Sequence, residues 1–326
     1  MPDLDLLTIG RVNFDLYAQQ AGVEFADVTS WDAMVGGSPA NVALAAARLG
    51  ARTAILTAVG ADPVGDWVLR ALAREGVETA GVARKQGPHT SLALRAQRPP
   101  DHPLAFYRHD PADVHVTVED AAALPLEHVR TVLASADAFA RGTMPEACAA
   151  VLRRARELGK TVYMDLDLRE VSWPDHAAYG AAVAAAVEYA DVLVGTEEEY
   201  AALLGMSAAA GERAVAAAVE TRISREAGRV VILKHGERGA TVLAGDEPLH
   251  VPAYPVAEAS TVGAGDSFAA GLVCARLRGS GWADAARFAS ACAAITVSRL
   301  GCSSGFPTLD EVVTFAERDV LTGGRA

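Results

Sequence analysis

The sequence predicts an α/β fold: a mostly parallel sheet wrapped by helices, with a small second sheet as a lid. Two observations carry that prediction. Short β-branched runs alternate with longer Ala/Leu-rich runs, the order expected of βα units wound into a parallel sheet. Two stretches, Asn13 to Val35 and Thr90 to Tyr107, break this rhythm by alternating apolar and polar residues without a long helix, as strands with two different faces do.

In chain order, the strands expected are Leu6–Ile9, Thr53–Val59, Thr131–Leu133, Thr161–Met164, Val192–Val194, Val230–Leu233 and Ala240–Leu243, each rich in Val, Ile, Leu or Thr. Between them Pro39–Leu49, Trp67–Glu75, Pro145–Leu158 and Glu197–Leu204 read as helices, as do the Ala-biased segments Ala181–Val187 and Ala208–Val219. A further buried helix begins at Ser267, after the extended run Val251 to Val256. The irregular stretches near 13–35 and 90–110 are expected to pair into the lid, within a single domain spanning 1–326. In such a sheet ligands lie beyond the carboxyl ends of the strands, so polar motifs should gather there.

Bulk properties exclude several functions. The chain of 326 residues is 51% hydrophobic and 21% charged, enough to bury a large core. Its net charge of -12 lacks the basic face that nucleic acid or an anionic membrane requires. No basic segment opens the chain, and charges interrupt the Ala-rich stretches, so a cytoplasmic location is expected. Cys148, Cys274, Cys292 and Cys302 show neither CxxC spacing nor His-rich neighbours and read as buried small residues rather than zinc ligands or disulfides.

Two motifs carry chemistry. Thr261-Val262-Gly263-Ala264-Gly265-Asp266-Ser267-Phe268 joins a small-residue turn to an acid where a helix begins. Backbone N–H groups of Gly263, Ala264 and Gly265 at such a terminus suit an anion. An acid beside an anion site is suited to taking a proton from an attacking hydroxyl, although a turn with Asp as an ordinary N-cap gives the same residues. Gly36-Gly37-Ser38-Pro39-Ala40-Asn41-Val42-Ala43 leads into another helix, with Ser38 as N-cap and Pro39 at the first helical position. It reads either as a capped helix with a Gly hinge or as a lid hinge whose Asn41 binds a substrate hydroxyl.

Together, in this order and about two hundred residues apart, the two motifs resemble the signatures of the ribokinase-like (PfkB) carbohydrate kinases. The opening segment Gly10-Arg11-Val12-Asn13-Phe14-Asp15 extends the resemblance to essentially the whole chain. It implies a three-layer αβα sandwich with a β-sheet lid, MgATP as donor and a sugar hydroxyl as acceptor. By the same carry-over Asp266 is the catalytic base and Gly263, Ala264 and Gly265 the anion hole. Asp15, Gly37 and Asn41 match sugar-binding positions.

Val194-Gly195-Thr196-Glu197-Glu198-Glu199 stands where the family commonly has Asn-x-x-Glu. Thr196 replaces the Asn, while Glu199 aligns with the Glu that organises Mg2+ through water; an acidic first helical turn accounts for it equally. Lys234-His235-Gly236-Glu237-Arg238-Gly239 resembles the family's turn on the nucleotide side, placing Lys234 and Gly236 near ATP, with Lys234 either approaching the phosphates or supporting the hairpin. Cys292 is expected in the helix that walls the adenine. Ser260 stands where many members carry an Asp of a monovalent-cation site, which puts potassium activation in doubt.

For the acceptor, Gly10-Arg11, Phe106 to Asp113 and Asp165-Leu166-Asp167-Leu168-Arg169 resemble the branch that phosphorylates 5-dehydro-2-deoxy-D-gluconate in myo-inositol catabolism. Arg108 and Arg169 are the expected partners of a sugar-acid carboxylate, since a guanidinium fork matches it; both also read as surface arginines. Arg11 is a third candidate, although pairing with Asp15 or Asp167 accounts for it equally. 2-Keto-3-deoxygluconate and fructose are the alternative acceptors, and a sensor that binds sugar or nucleotide without turnover is the alternative from another class. Leu92, Leu94, Leu104 and Phe106 place apolar residues on both lid faces, which suggests a homodimer through the lid.

Overall fold

The computed structural model describes residues 3–98, 103–207, 210–225 and 227–321. The first two residues of the expected 208–219 helix and a few at the far end of the lid therefore lie outside the described residues.

Strand β1 (Leu4–Ile9) opens the main sheet. The chain leaves it as a hairpin, β2 (Asn13–Ala21) and β3 (Trp31–Gly36), and returns through α1 (Ser38–Arg48) and β4 (Thr53–Gly60). Helix α2 (Pro63–Arg74) and the short strands β5 (Val77–Glu78) and β6 (Val82–Lys85) precede a second excursion, β7 (Ser91–Gln97) and β8 (Leu104–Tyr107). After α3 (Val118–Ala122) the βα rhythm runs through β9 (Val129–Ser135), α4 (Met144–Glu157), β10 (Thr161–Asp165), α5 (His176–Val187), β11 (Val192–Thr196), α6 (Glu197–Leu203) and α7 (Glu212–Ala218). It closes with β12 (Val230–Lys234), β13 (Ala240–Leu243), β14 (Leu249–Val251), α8 (Ala264–Leu277), α9 (Trp282–Val297) and α10 (Leu309–Leu321).

Among the described residues, ten strands form the main sheet in the order β14-β13-β12-β11-β10-β9-β1-β4-β5, with β6 also on β4, and four form the lid in the order β3-β2-β7-β8. Pairing is parallel from β12 across to β6, and among the described strands β13 alone runs against the others, antiparallel to both β12 and β14. One apolar cluster fills one side of the sheet under α4 and α5, and another fills the opposite side under α1, α8 and α9. The sheet is thus buried on both faces, as parallel sheets are. In the lid, β2 pairs with β7 in parallel, joining the two excursions that the sequence sets apart. The lid alternates with period two. Asn13, Asp15, Tyr17, Ala93, Arg95, Leu104 and Phe106 share its inner face, and Leu92 and Leu94 take the other.

The hinge between lid and body rests on Gly36 and Gly37. A Cβ at Gly36 would stand 2.0 Å from Asp15 Oδ2, so the glycine makes room for that carboxylate. Gly37, the N-cap of α1, has φ 94, and a Cβ there would stand 2.6 Å from the Arg11 carbonyl oxygen. The substitution Gly37→Ala combines a left-handed backbone with a backbone clash and should cost about 2 kcal/mol. Thermal melting should show a fall of several degrees; an unchanged midpoint would contradict this packing.

Candidate active site

A pocket of about 550 Å³ lies between the inner face of the lid and the body, where β1 and β10 end and α1 and α8 begin. Gly37, Ser38 and Asn41 come from α1 and its cap, Thr261 to Gly263, Gly265 and Asp266 from the turn into α8, and Leu168 to Val171 from the loop after β10. The strand ends gather the motifs as open α/β sheets do.

Asp266 sits in the first turn of α8 and is 7% exposed. Ser38 Oγ donates to its Oδ1 at 2.7 Å and Asn41 Nδ2 to its Oδ2 at 2.8 Å. Burial and the nearby Asp167 push its carboxyl up, and they outweigh Arg169 and the two hydrogen bonds. A carboxylate raised in this way is a better proton acceptor near neutral pH. The turn before it bends at Gly263, φ 82, where a Cβ would stand 2.8 Å from Cys302 Sγ. Ala264 N–H closes the turn on the Thr261 carbonyl at 3.3 Å. Among the described residues no acceptor takes the amides of Gly263 and Gly265. Two of the three amides expected of the anion hole are therefore open, and the middle one is spent on the turn.

Lys234 lies beside them, its Nζ 3.6 Å from where a Cβ on Gly265 would stand. It also faces Asp165 Oδ1 at 3.5 Å and Glu199 Oε2 at 3.9 Å. Burial lowers its pKa, but Asp165, Glu199 and Asp167 raise it further, so the ammonium stays charged. Asp165 is pushed up, first by burial and then by Glu199, Asp167 and Asp266, against the pull of Lys234. Asp167 moves the other way. Burial would raise it, yet Arg169 at 2.6 Å, Arg11 and a 2.8 Å hydrogen bond from Ser135 Oγ hold it below the usual range. Its φ of 22 places a non-glycine residue in strained backbone at the pocket's edge.

Thr196 and Glu199 form a capping box on α6. The Thr196 hydroxyl accepts from Glu199 N–H at 3.3 Å, and Glu199 Oε2 accepts from Thr196 N–H at 2.7 Å. Glu199 Oε1 takes the Leu168 amide at 3.3 Å. The side chains expected at nucleotide and metal are thus used to fix the end of β11. The carboxylates of Asp165, Glu199, Asp167 and Asp266 nevertheless surround one ammonium, and that excess of hard oxygen donors fits a divalent cation arriving with phosphate.

The lid side is rich in unpaired acceptors. Asn13 Oδ1, Asp15 Oδ1 and Asn41 Oδ1 are enclosed without a hydrogen-bond donor and line the pocket. A small turn of these side chains toward the pocket would bring the oxygens to a ligand's hydroxyl groups. Burial lifts Asp15 to about 6, with Arg11 and Arg95 pulling it back.

Three expected residues fall elsewhere. Arg108 does not line the pocket: its two terminal nitrogens donate to Asp113 at 2.8 and 2.7 Å and one also to Ser91 Oγ at 2.8 Å, so its fork is taken. Cys292 is fully buried on α9 against Gly271 of α8, where a Cβ would stand 2.9 Å from its sulfur, and it walls no open site. Gly236 opens the turn after β12 with a φ of 62, in open space away from the pocket. Arg169 lines the pocket with a side chain 46% exposed. Ser260 Oγ accepts the Val262 amide at 3.3 Å. All four cysteines are buried and free. No motif in the sequence singles out Asn13, Arg95 or the Ser38–Asp266 contact. Period-two alternation from Asp15 marks Asn13, and the alternating run Ser91 to Ala96 contains Arg95, but nothing local signals the reach of Ser38 to Asp266. Among the described residues no helix is long and apolar enough to cross a membrane.

Comparison with known proteins agrees with this geometry. The model of the pfkB family carbohydrate kinases matches residues 3–309. A 5-dehydro-2-deoxygluconokinase of Geobacillus thermodenitrificans is 30% identical over 96% of this chain and 93% of its own length. One of Photobacterium profundum is 28% identical, covering 96% and 95%. Among solved structures, a putative Ribokinase II from E. coli in its apo form superposes with a TM-score of 0.85 at 26% identity, covering 97% of this chain and 99% of that one. Ribokinase-like architecture, the two glycine motifs at one pocket and a match over nearly the whole length converge: the chain belongs to the pfkB family of carbohydrate kinases and is a sugar kinase.

Proposed function

We propose that this sugar kinase transfers the γ-phosphoryl group of ATP to the terminal hydroxyl of a six-carbon keto sugar acid, 5-dehydro-2-deoxy-D-gluconate, in myo-inositol catabolism. The observation that carries the chemistry is Asp266, a buried carboxylate with a raised pKa, one residue from the open amide of Gly265. ATP use is supported by fold neighbours solved with ATP, including a fructokinase of Xylella fastidiosa at a TM-score of 0.83 and 24% identity, covering 97% of this chain and 99% of that one. The acceptor is supported by the names of the curated relatives and by Arg11, Arg95 and Arg169 lining the pocket of a protein with net charge -12.

In this reading Asn13, Asp15 and Asn41 accept the sugar's hydroxyls and hold it in line. Asp266 takes the proton of the terminal hydroxyl as its oxygen bonds to the γ-phosphorus and the bond to the β-phosphate oxygen breaks. The amides of Gly263 and Gly265 with Lys234 steady the negative charge on the phosphoryl oxygens. Mg2+ would be held through water by Glu199 and Asp165, and it supplies charge neutralisation on the phosphates. Thr196 serves as the mount of Glu199. The outer lid face, with Leu92, Leu94 and a Tyr107 that is 66% exposed, supports a lid-to-lid homodimer. Light scattering should give twice the 33.8 kDa chain mass, and a monomer would refute the dimer.

Asp266→Asn keeps the size of the side chain and removes the base. Turnover should fall by about 10³ while the affinity for ATP, measured by titration calorimetry, changes little; near-normal turnover would remove Asp266 from this role. Asp15 gives a pH test. Its folded pKa of about 6 lies above the ordinary carboxylate value, so its contribution to stability is full below about pH 4 and lost as pH rises through 6. Asp15→Asn, which never ionises, should therefore gain on the wild type between pH 4 and pH 7, by about 3 kcal/mol in denaturant unfolding. A difference that is flat with pH would mean that Asp15 is not raised.

A further inference from the structure

We infer that Arg11, not Arg108 or Arg169, receives the carboxylate of the acceptor, and that Arg108 serves as a positioning residue that holds Asp137 behind it. This inference rests on the sugar-acid reading above and assigns the residue that selects the acid. The side chain of Arg11 is 7% exposed and the residue lines the pocket. Its Nε and Nη1 are enclosed, and neither completes a hydrogen bond. The guanidinium lies 5.7 Å from the centre of the Phe106 ring, on the inner face of the lid. Asp137 has Oδ2 3.1 Å from Nη1, and Asp15 and Asp167 also lie within reach of the Arg11 charge, yet neither Asp137 oxygen has a well-formed hydrogen bond. The charge of Arg11 is thus balanced while its donors remain unspent.

Arg108 and Arg169 differ in that respect. Arg108 spends its terminal donors on Asp113 and Ser91 and lies outside the pocket. Arg169 is nearly half exposed, where solvent screens it, and is ion-paired to Asp167. A buried cation whose charge is paired but whose N–H donors complete no hydrogen bond is costly, and a ligand oxygen removes part of that cost. A carboxylate offers two acceptors and a full charge to a planar guanidinium, which a neutral ketose hydroxyl does not. Arg108 acts at one remove, with Nη2 3.7 Å from the same Asp137 Oδ2 that faces Arg11. Through this shared acid the lid's return strand fixes the Arg11 site.

The test is steady-state kinetics of the full-length wild type and the Arg11→Lys, Arg11→Ala and Arg169→Ala variants. Acceptors are 5-dehydro-2-deoxy-D-gluconate and fructose, with circular dichroism melting as the check on folding. Arg11→Ala should raise KM for the acid by about 10- to 100-fold with a small change in kcat, as expected for the loss of a charged hydrogen bond. Added guanidinium should restore part of that loss. Arg11→Lys should lower the preference for the acid over fructose by about tenfold, since the ammonium lacks the fork, and it decides the matter if the alanine variant does not fold. An acid KM unmoved in the Arg11 variants but raised in Arg169→Ala would overturn the assignment and leave the sugar-acid reading intact. Equal losses of kcat on both acceptors, without guanidinium rescue, would also overturn it by showing a structural role. A wild type that phosphorylates fructose and not the acid would overturn both.

Discussion

The contact on which the site depends is the pair of hydrogen bonds from Ser38 and Asn41 to Asp266. It joins residues more than two hundred positions apart in sequence, and it sets the first turns of α1 and α8 against each other. A buried carboxylate without donors is expensive, so these two bonds are what allow Asp266 to remain at the bottom of the pocket. They form only because both helices are built of small residues where they meet. Ala40 and Ala43 on α1, and Ala269 and Ala270 on α8, are fully buried, and Cys274 Sγ of α8 lies 3.9 Å from the Ala46 carbonyl oxygen of α1. Larger side chains there would move the helices apart and separate donors from acceptor.

Charge is then divided across the pocket. On the phosphate side a single ammonium, Lys234, stands among carboxylates, and burial first, then their mutual repulsion, raises Asp165 and Asp266. On the acceptor side three arginines line the wall, and Asp137, Asp167 and Asp15 offset their charge. The strongly acidic surface repels anions in general, so the local arginines determine what enters. Asp15 feels both influences. Burial raises it, and Arg11 and Arg95 limit the rise.

What is legible in the sequence is what local chemistry encodes. The Gly36–Gly37 hinge and the turn at Gly263 each follow from backbone geometry that few residues satisfy, whereas the capping box of Thr196 and Glu199 emerges only in the structure. Lid alternation is legible for the same reason, because period two is a local property. That the two lid stretches pair is expected from their shared departure from the βα rhythm, but the parallel direction and register of β2 on β7 are not legible, because nothing within either strand encodes them. Cys292 escapes a correct placement because α9 is small and apolar on several sides, so periodicity does not say which face meets α8 and which meets a ligand. Arg108 escapes it through competition: Asp113, five residues on, takes the fork that the sequence offers to substrate. The turn that brings the two together passes through Asp110, with φ 44, a conformation that the residue type permits but does not announce.

That displaced arginine has a structural consequence. The Arg108–Asp113–Ser91 cluster ties the return strand of the lid to its neighbour, and through Asp137 it reaches the body at the end of β9. Buried ion pairs of this kind add little net stability, since desolvation consumes most of the Coulomb gain. What they fix is geometry. Each charge has few positions in which it is satisfied, so the lid closes over the pocket in one register and not in a family of nearby ones. The inner face carries Asn13, Asp15 and Arg95, and a register error of one residue would turn all of them outward. The same constraint that removes Arg108 from the pocket therefore holds the remaining polar groups at the positions where a sugar can meet them.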